Sequence, residues 1–215
     1  MSVVLYTGTP GSGKSLHAAS DIRYCLNKPR GENQPVIANF DIKTTEVKRP
    51  DAFLFVDNQD LTPEFLVNFA DDFWLHVDRP FSEDYILLVL DEVQILFNNR
   101  LWMSKGTGRN DSRLDWVEFL SQHRKYGYRI ILIAQSAKMI DNQFRYLCDY
   151  EINHRKVSNM GLTGSFVGAL FHGKLFMRVK YLFQTNERLG MQLYVGRKRD
   201  MAMYDSYARL RKVSQ

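Results

Sequence analysis

Cysteine is nearly absent. The 215 residues hold two, Cys25 and Cys148, which excludes a disulfide framework and a cysteine-rich zinc module and suits a reducing compartment. Long hydrophobic runs are missing too. The longest strictly apolar stretches, among them residues 86–90 and 130–134, are five residues long, whereas a bilayer span needs about 18–20. No basic region precedes Val3-Val4-Leu5-Tyr6, so the pattern of a secretory signal is lacking. There is no internal repeat and no low-complexity tract. What is present is ordinary: 45% apolar, 13% aromatic and 25% charged residues, the proportions of a globular chain with material for one large domain.

Charge is unevenly spread. Residues 1–150 hold 17 Lys+Arg against 20 Asp+Glu, a net −3, while residues 151–215 hold 12 against 4, a net +8. The basic end is either solvated surface or a contact for a phosphate-bearing partner, nucleic acid or anionic lipid. Arg197-Lys198-Arg199 is its densest cluster, and Tyr194 beside it is a candidate for stacking on single-stranded bases.

Along the chain, residues 3–7 read as a strand, a Gly-rich loop follows, and residues 14–28 form a helix with Leu16, Ala19, Ile22 and Leu26 on one face. Residues 35–39 and 52–56 read as strands. Thr62-Pro63 marks a helix start with Phe65, Leu66 and Phe69 inward. Residues 85–90 have the unbroken apolar pattern of a central parallel strand. Residues 98–111 are polar and read as a loop. A helix from Ser112 carries Leu114, Val117, Leu120 and Arg124, stops at Gly127, and leads to an apolar strand over 129–135. Beyond residue 150, stretches 157–171 and 174–183 read as an antiparallel hairpin, and 204–211 as a terminal helix or arm. The fold expected is α/β, a P-loop NTPase with a mostly parallel sheet flanked by helices and a small C-terminal antiparallel β extension. Residues 1–150 would be the core and 151–215 a basic extension of the same domain.

Gly8-Thr9-Pro10-Gly11-Ser12-Gly13-Lys14-Ser15 matches the phosphate-loop pattern G-x-x-x-x-G-K-[ST], between a strand and a helix as that motif requires. Glycines let successive N–H groups turn inward onto phosphate oxygens, and the helix adds its positive end. Lys14 would neutralise the β- and γ-phosphates of ATP, and Ser15 would hold Mg²⁺. The strand over 85–90 ends in Asp91-Glu92. Asp91 is suited to the metal and Glu92 to activating the attacking water. Adjacent Asp-Glu here suits ATP-hydrolysing motors, which carry an extra strand between the P-loop strand and this one; no guanine-reading Asn-Lys-x-Asp is present. Gln135, ending the next apolar strand, is a candidate γ-phosphate sensor or a local cap. Phosphoryl transfer also draws on an arginine supplied by a neighbouring subunit. Arg124, Arg145 and Arg155 are the candidates, with Arg145 preferred because it follows the sensor strand closely. No His/Cys cluster has metal-ligand spacing, so Mg²⁺ with nucleotide is the one metal expected.

These motifs, with Gln122-His123-Arg124-Lys125-Tyr126-Gly127, the strand ending Ala134-Gln135, residues 140–149 and Met203-Tyr204-Asp205-Ser206-Tyr207, resemble the zonular occludens toxin (Zot) family, the assembly ATPases of filamentous phages. The resemblance spans residues 3–207. It implies a motor of the FtsK/HerA branch, working as a homo-oligomer such as a hexameric ring, on phage DNA or phage assembly proteins at the cytoplasmic face of the host inner membrane. Family members usually continue into a transmembrane helix, so the expectation is a cytoplasmic portion of a longer protein or a peripheral member. It also implies that His123 and Arg124 lie at a subunit interface or near the site; the helix from 112 to 126 by itself favours a solvent-facing His123. Two other functions share the P-loop: a small-molecule or nucleotide kinase with residues 98–111 as lid, and a nucleotide-gated scaffold that hydrolyses poorly.

Overall fold

The computed structural model describes residues 3–29, 34–97 and 112–203. In chain order the elements are β1 (Val3–Thr7), α1 (Lys14–Leu26), β2 (Val36–Ala38), β3 (Phe53–Phe55), α2 (Pro63–His76), β4 (Ile86–Leu90), α3 (Val93–Leu96), α4 (Ser112–Gln122), β5 (Tyr128–Ile133), α5 (Asn142–Tyr146), β6 (Tyr150–Lys156), α6 (Gly161–Leu170), β7 (Leu175–Leu182), β8 (Glu187–Val195) and α7 (Lys198–Met203). The strands form a continuous sheet in the order β3-β2-β4-β5-β1-β6-β7-β8. Pairings from β3 to β6 are parallel, and β7 and β8 join antiparallel. The expected class is therefore the observed one, and β5 is the extra strand between β1 and β4.

The alternation of side chains along β4 shows why its apolar run is unbroken. Ile86, Leu88 and Leu90 enter one core with α2, α4 and α5. Leu87 and Val89 enter another with α1 and Met203. Each fully buried side chain of this kind contributes about 1.5–3 kcal/mol. The two cysteines divide between these layers, Cys148 in the first and Cys25 in the second, each 1% exposed.

Local signals hold at several ends. The Thr62 hydroxyl accepts the Phe65 N–H at 3.1 Å, capping α2 behind Pro63. Gly127 closes the turn after α4 at φ 79°, where a Cβ would meet the Trp74 ring at 2.7 Å. The Trp74 indole in turn donates to the Tyr126 carbonyl at 2.9 Å.

Three expectations are corrected. Residues 157–171 are not a strand. A 3-10 turn over Val157–Asn159 leads into α6, and the hairpin is β7 with β8. Gly164 and Gly168 explain the helix: a Cβ at either would strike Val157 or Ser158, so glycine lets it lie flat on that turn. Leu114 is 61% exposed, because α4 turns Trp116, Phe119 and Leu120 inward instead. His123 is buried, not solvent-facing, and its Nδ1 binds the Leu120 carbonyl at 2.7 Å. The expected loop over 98–111 and arm over 204–211 lie outside the described residues. Among the described residues no helix is long and apolar enough to cross a membrane.

Candidate functional site

The chain leaves β1 at Thr7 and turns through residues 8–13 into α1. Gly11 and Gly13 take φ of 74° and 99°, conformations open to glycine at no steric cost. Gly8 is required for space as well: a Cβ there would lie 2.4 Å from the His154 carbonyl oxygen. The Gly8 N–H donates to the Gln135 carbonyl at 3.2 Å, and the Ser12 N–H to the Thr9 carbonyl at 3.1 Å. Thr9, Pro10 and Gly11 form the exposed tip. Gly13 caps α1 without a side chain, and no acid sits in the first turn, so the helix's positive end faces the loop unneutralised.

Lys14 Nζ curls over this loop, donating to the carbonyls of Gly8 at 2.7 Å and Thr9 at 3.2 Å. Burial lowers its pKa, and the charges of Asp91 and Glu92 pull the other way. Both carboxylates thus act on Lys14 directly. Ser12 Oγ is buried without a hydrogen-bond partner. Gly11, Ser12, Gly13, Lys14 and Ser15 line a cavity of about 280 Å³ with Leu16, Phe176, Asp200 and Met201. A bare helix terminus, a lysine and an orphaned hydroxyl fit a polyphosphate. Among the described residues no three His, Cys, Asp or Glu converge as a metal site; Ser15 and Asp91 suit a cation shared with phosphate oxygens.

Asp91 and Glu92 follow β4 directly. The Asp91 peptide is gripped on both sides by the fully buried Asn39: its N–H donates to Asn39 Oδ1 at 2.7 Å, and Asn39 Nδ2 donates to its carbonyl at 2.9 Å. Asp91 Oδ1 accepts the Glu92 N–H at 2.8 Å. Glu92 is left-handed at φ 53°, a strain of about 1–2 kcal/mol for a side-chain-bearing residue, and its carboxylate accepts from the Gln94 amide. Gln135 stands just beyond β5, with its side chain exposed and its carbonyl on the phosphate loop.

The carboxyl ends of β1, β4 and β5 therefore gather residues 8–15, Asp91, Glu92 and Gln135 at one edge of the sheet, where α/β folds bind ligands. Arg145 is not brought there. After Gln135 the chain crosses back through α5, and Arg145 sits over Phe183 at the opposite edge, the length of β1 away, about 16 Å. Arg124 lies at that edge too, 3.8 Å from Asp149. Arg155, near the end of β6, stands beside the loop edge, exposed and bonded to Asn153.

The extension contributes contacts that the motifs do not announce. The Tyr194 hydroxyl donates to the Gly13 carbonyl at 3.0 Å, and its ring stacks on Phe176. Tyr194 is thus part of the loop's wall and not a free platform for bases. Behind it runs a buried polar chain. His154 Nδ1 binds the Thr7 carbonyl at 3.2 Å, which fixes the proton on Nδ1. His154 Nε2 then accepts from His17 Nδ1 at 2.9 Å, and His17 Nε2 accepts from Arg178. Burial pushes both histidines down to about 3, with the Arg178 charge adding to it at His17 and His17 itself adding at His154. The alternating pattern of β7 and β8 marks one face, but nothing in it shows that this face meets the phosphate loop.

One comparison decides the kinship: residues 2–210 match the family model of the zonular occludens toxin, Zot. The chain belongs to the Zot family. Among solved structures, it matches the N-terminal domain of the Neisseria meningitidis zonular occludens toxin at 19% identity and TM-score 0.54, covering 94% of this chain and 98% of that one. It also matches B204, the DNA-packaging ATPase of Sulfolobus turreted icosahedral virus, at 14% identity and TM-score 0.50, covering 90% and 96%. These likenesses show that the chain has the P-loop NTPase fold. A search of the curated proteins finds no match.

Proposed function

We propose that the chain is the Mg²⁺-dependent ATP-hydrolysing motor domain that drives filamentous phage assembly and the export of phage DNA through the host inner membrane. It would work as a homo-oligomer at the cytoplasmic face, with residues 1–150 as the ATPase core and 151–215 as its basic extension. The observation that carries the reading is the gathering of the phosphate loop and Asp91-Glu92 at the same carboxyl end of the sheet, on strands β1 and β4 with β5 between them. In it, Lys14 and the loop N–H groups hold the phosphates. Ser15 and Asp91 would hold magnesium, whose charge would offset that of the transferred phosphoryl group. Glu92, poised by its left-handed backbone, orients and deprotonates the attacking water, and Gln135 senses the γ-phosphate. Arg145, at the opposite end of β1, would complete a neighbour's site. Kinship with the phage-assembly family supports the biological setting, as does the fold shared with a viral DNA-packaging ATPase.

The test is Mg²⁺-dependent ATP hydrolysis by the purified chain. Lys14→Ala and Glu92→Gln should each lower it by about 100-fold or more, and wild-type specific activity should rise with protein concentration. Hydrolysis by Glu92→Gln at the wild-type rate would overturn the assignment.

A further inference from the structure

Helix α6 is built inside out. Gly164 and Gly168 face the protein, while Leu162, Phe166 and Leu170, one turn apart, are 93%, 72% and 65% exposed. Met160 and Phe171, which flank the helix at its two ends, are also exposed. The turn beneath α6 packs Val157 on Leu175, Met177 and Val179 of β7. Their cross-strand partners Val195, Leu193 and Met191 carry the same face onto β8, where they stay exposed. An apolar ridge and an apolar stripe therefore share one side of the extension. Monomeric surfaces seldom leave so much contiguous apolar area bare without a use for it.

Cations sit around this face. Arg155 pairs with Met177 across β6 and β7 and is exposed. Lys156 Nζ lies beside the turn that ends α6, 3.7 Å from where a Cβ on Gly173 would stand, and Lys174 follows that turn. Side chains as exposed as Leu162 and Phe166 stand out from the surface and line no groove. A protruding apolar ridge rimmed by cations fits a fluid anionic surface, which needs no matching pocket.

We infer that α6 is a lipid-facing wedge, which inserts Leu162, Phe166 and Leu170 at the boundary between headgroups and acyl chains while Lys156 and Lys174 meet lipid phosphates. This contact would give the proposed motor a bilayer seat of its own, and rests on that reading for its setting alone. Lipid binding is measured without ATP, so either can fail without the other.

The experiment is co-sedimentation of the whole chain with phosphatidylcholine vesicles, with and without phosphatidylglycerol. Binding should require the anionic lipid and weaken with salt. Leu162→Asp/Phe166→Asp should lower it at least tenfold, and Lys156→Gln/Lys174→Gln should weaken it and flatten its salt dependence. These side chains are surface ones, so the circular dichroism spectrum of each variant should match the wild type. Tryptophan at 166, in Phe166→Trp, should be quenched by lipids brominated along the acyl chain. Failure to bind anionic vesicles, full binding by the Asp pair, or an unquenched tryptophan would overturn the inference. So would self-association that the Asp pair abolishes while vesicle binding persists, because the ridge would then be a subunit interface.

Discussion

Strands β4 and β8 are both rich in apolar residues, yet they live in opposite surroundings. Every residue of β4 is buried, whereas eight of the nine in β8 are exposed and the ninth half-buried. The parallel half of the sheet is covered on both faces by helices. The hairpin is covered on part of one face and pressed against the phosphate loop with the other. The lesson is a division of labour. Stability resides in the parallel half, and the hairpin contributes contacts to the site, through Tyr194 to Gly13 and through Arg178, His17 and His154 to Thr7.

The largest test of that contrast is Phe144→Ala. Phe144 is fully buried and stacks on Phe97 at 4.2 Å, so the variant should lose about 3–5 kcal/mol in a urea melt. Acid should act next, at the seam between the halves. His17 and His154 are held at about 3, against an ordinary 6.5. Between those values the unfolded chain binds protons that the folded one refuses. Their contribution is complete above pH about 6.5 and drains away as pH falls toward 3, by up to about 1.4 kcal/mol per pH unit for each histidine. Equilibrium melts across that range should show the slope, and His154→Gln should reduce it. Tyr194→Phe removes one hydrogen bond, worth about 1 kcal/mol, at the loop and nowhere else. It should raise the KM for ATP about fivefold with little change in melting; an unchanged KM would detach the hairpin from the site. Leu193→Ala, on the exposed stripe, should change the unfolding free energy from a urea melt by no more than about 0.5 kcal/mol.

Legibility in the sequence follows the same divide. Residues 86–90 declare themselves because burial on both faces leaves no polar position to confuse the period. The phosphate loop declares itself because its chemistry is local, eight residues long. Asn39 does not: its grip on Asp91 joins positions 52 apart, and a lone Asn at a strand end has no pattern. The partnership of His17 with His154 and Arg178 is equally long-range. Residues 157–171 mislead because glycine is read as a helix breaker, at about 1 kcal/mol each. Here close approach to Val157 and Ser158 outweighs that cost. Leu114 misleads because a helical period fixes the spacing of a buried stripe but not its phase, which Trp116 and Phe119 set. Sequence proximity of Arg145 to β5 does not show which end of the sheet it reaches, and five residues of helix are enough to carry the chain to the other one.

The scarcity of cysteine has a practical consequence. Cys25 lies on the inward side of α1 on one face of the sheet and Cys148 beside α5 on the other, and burial raises both thiols, Cys148 to about 12. Neither can react with an alkylating reagent until its own layer opens. The native chain thus carries two independent clocks, whose labelling rates would time the loosening of each face.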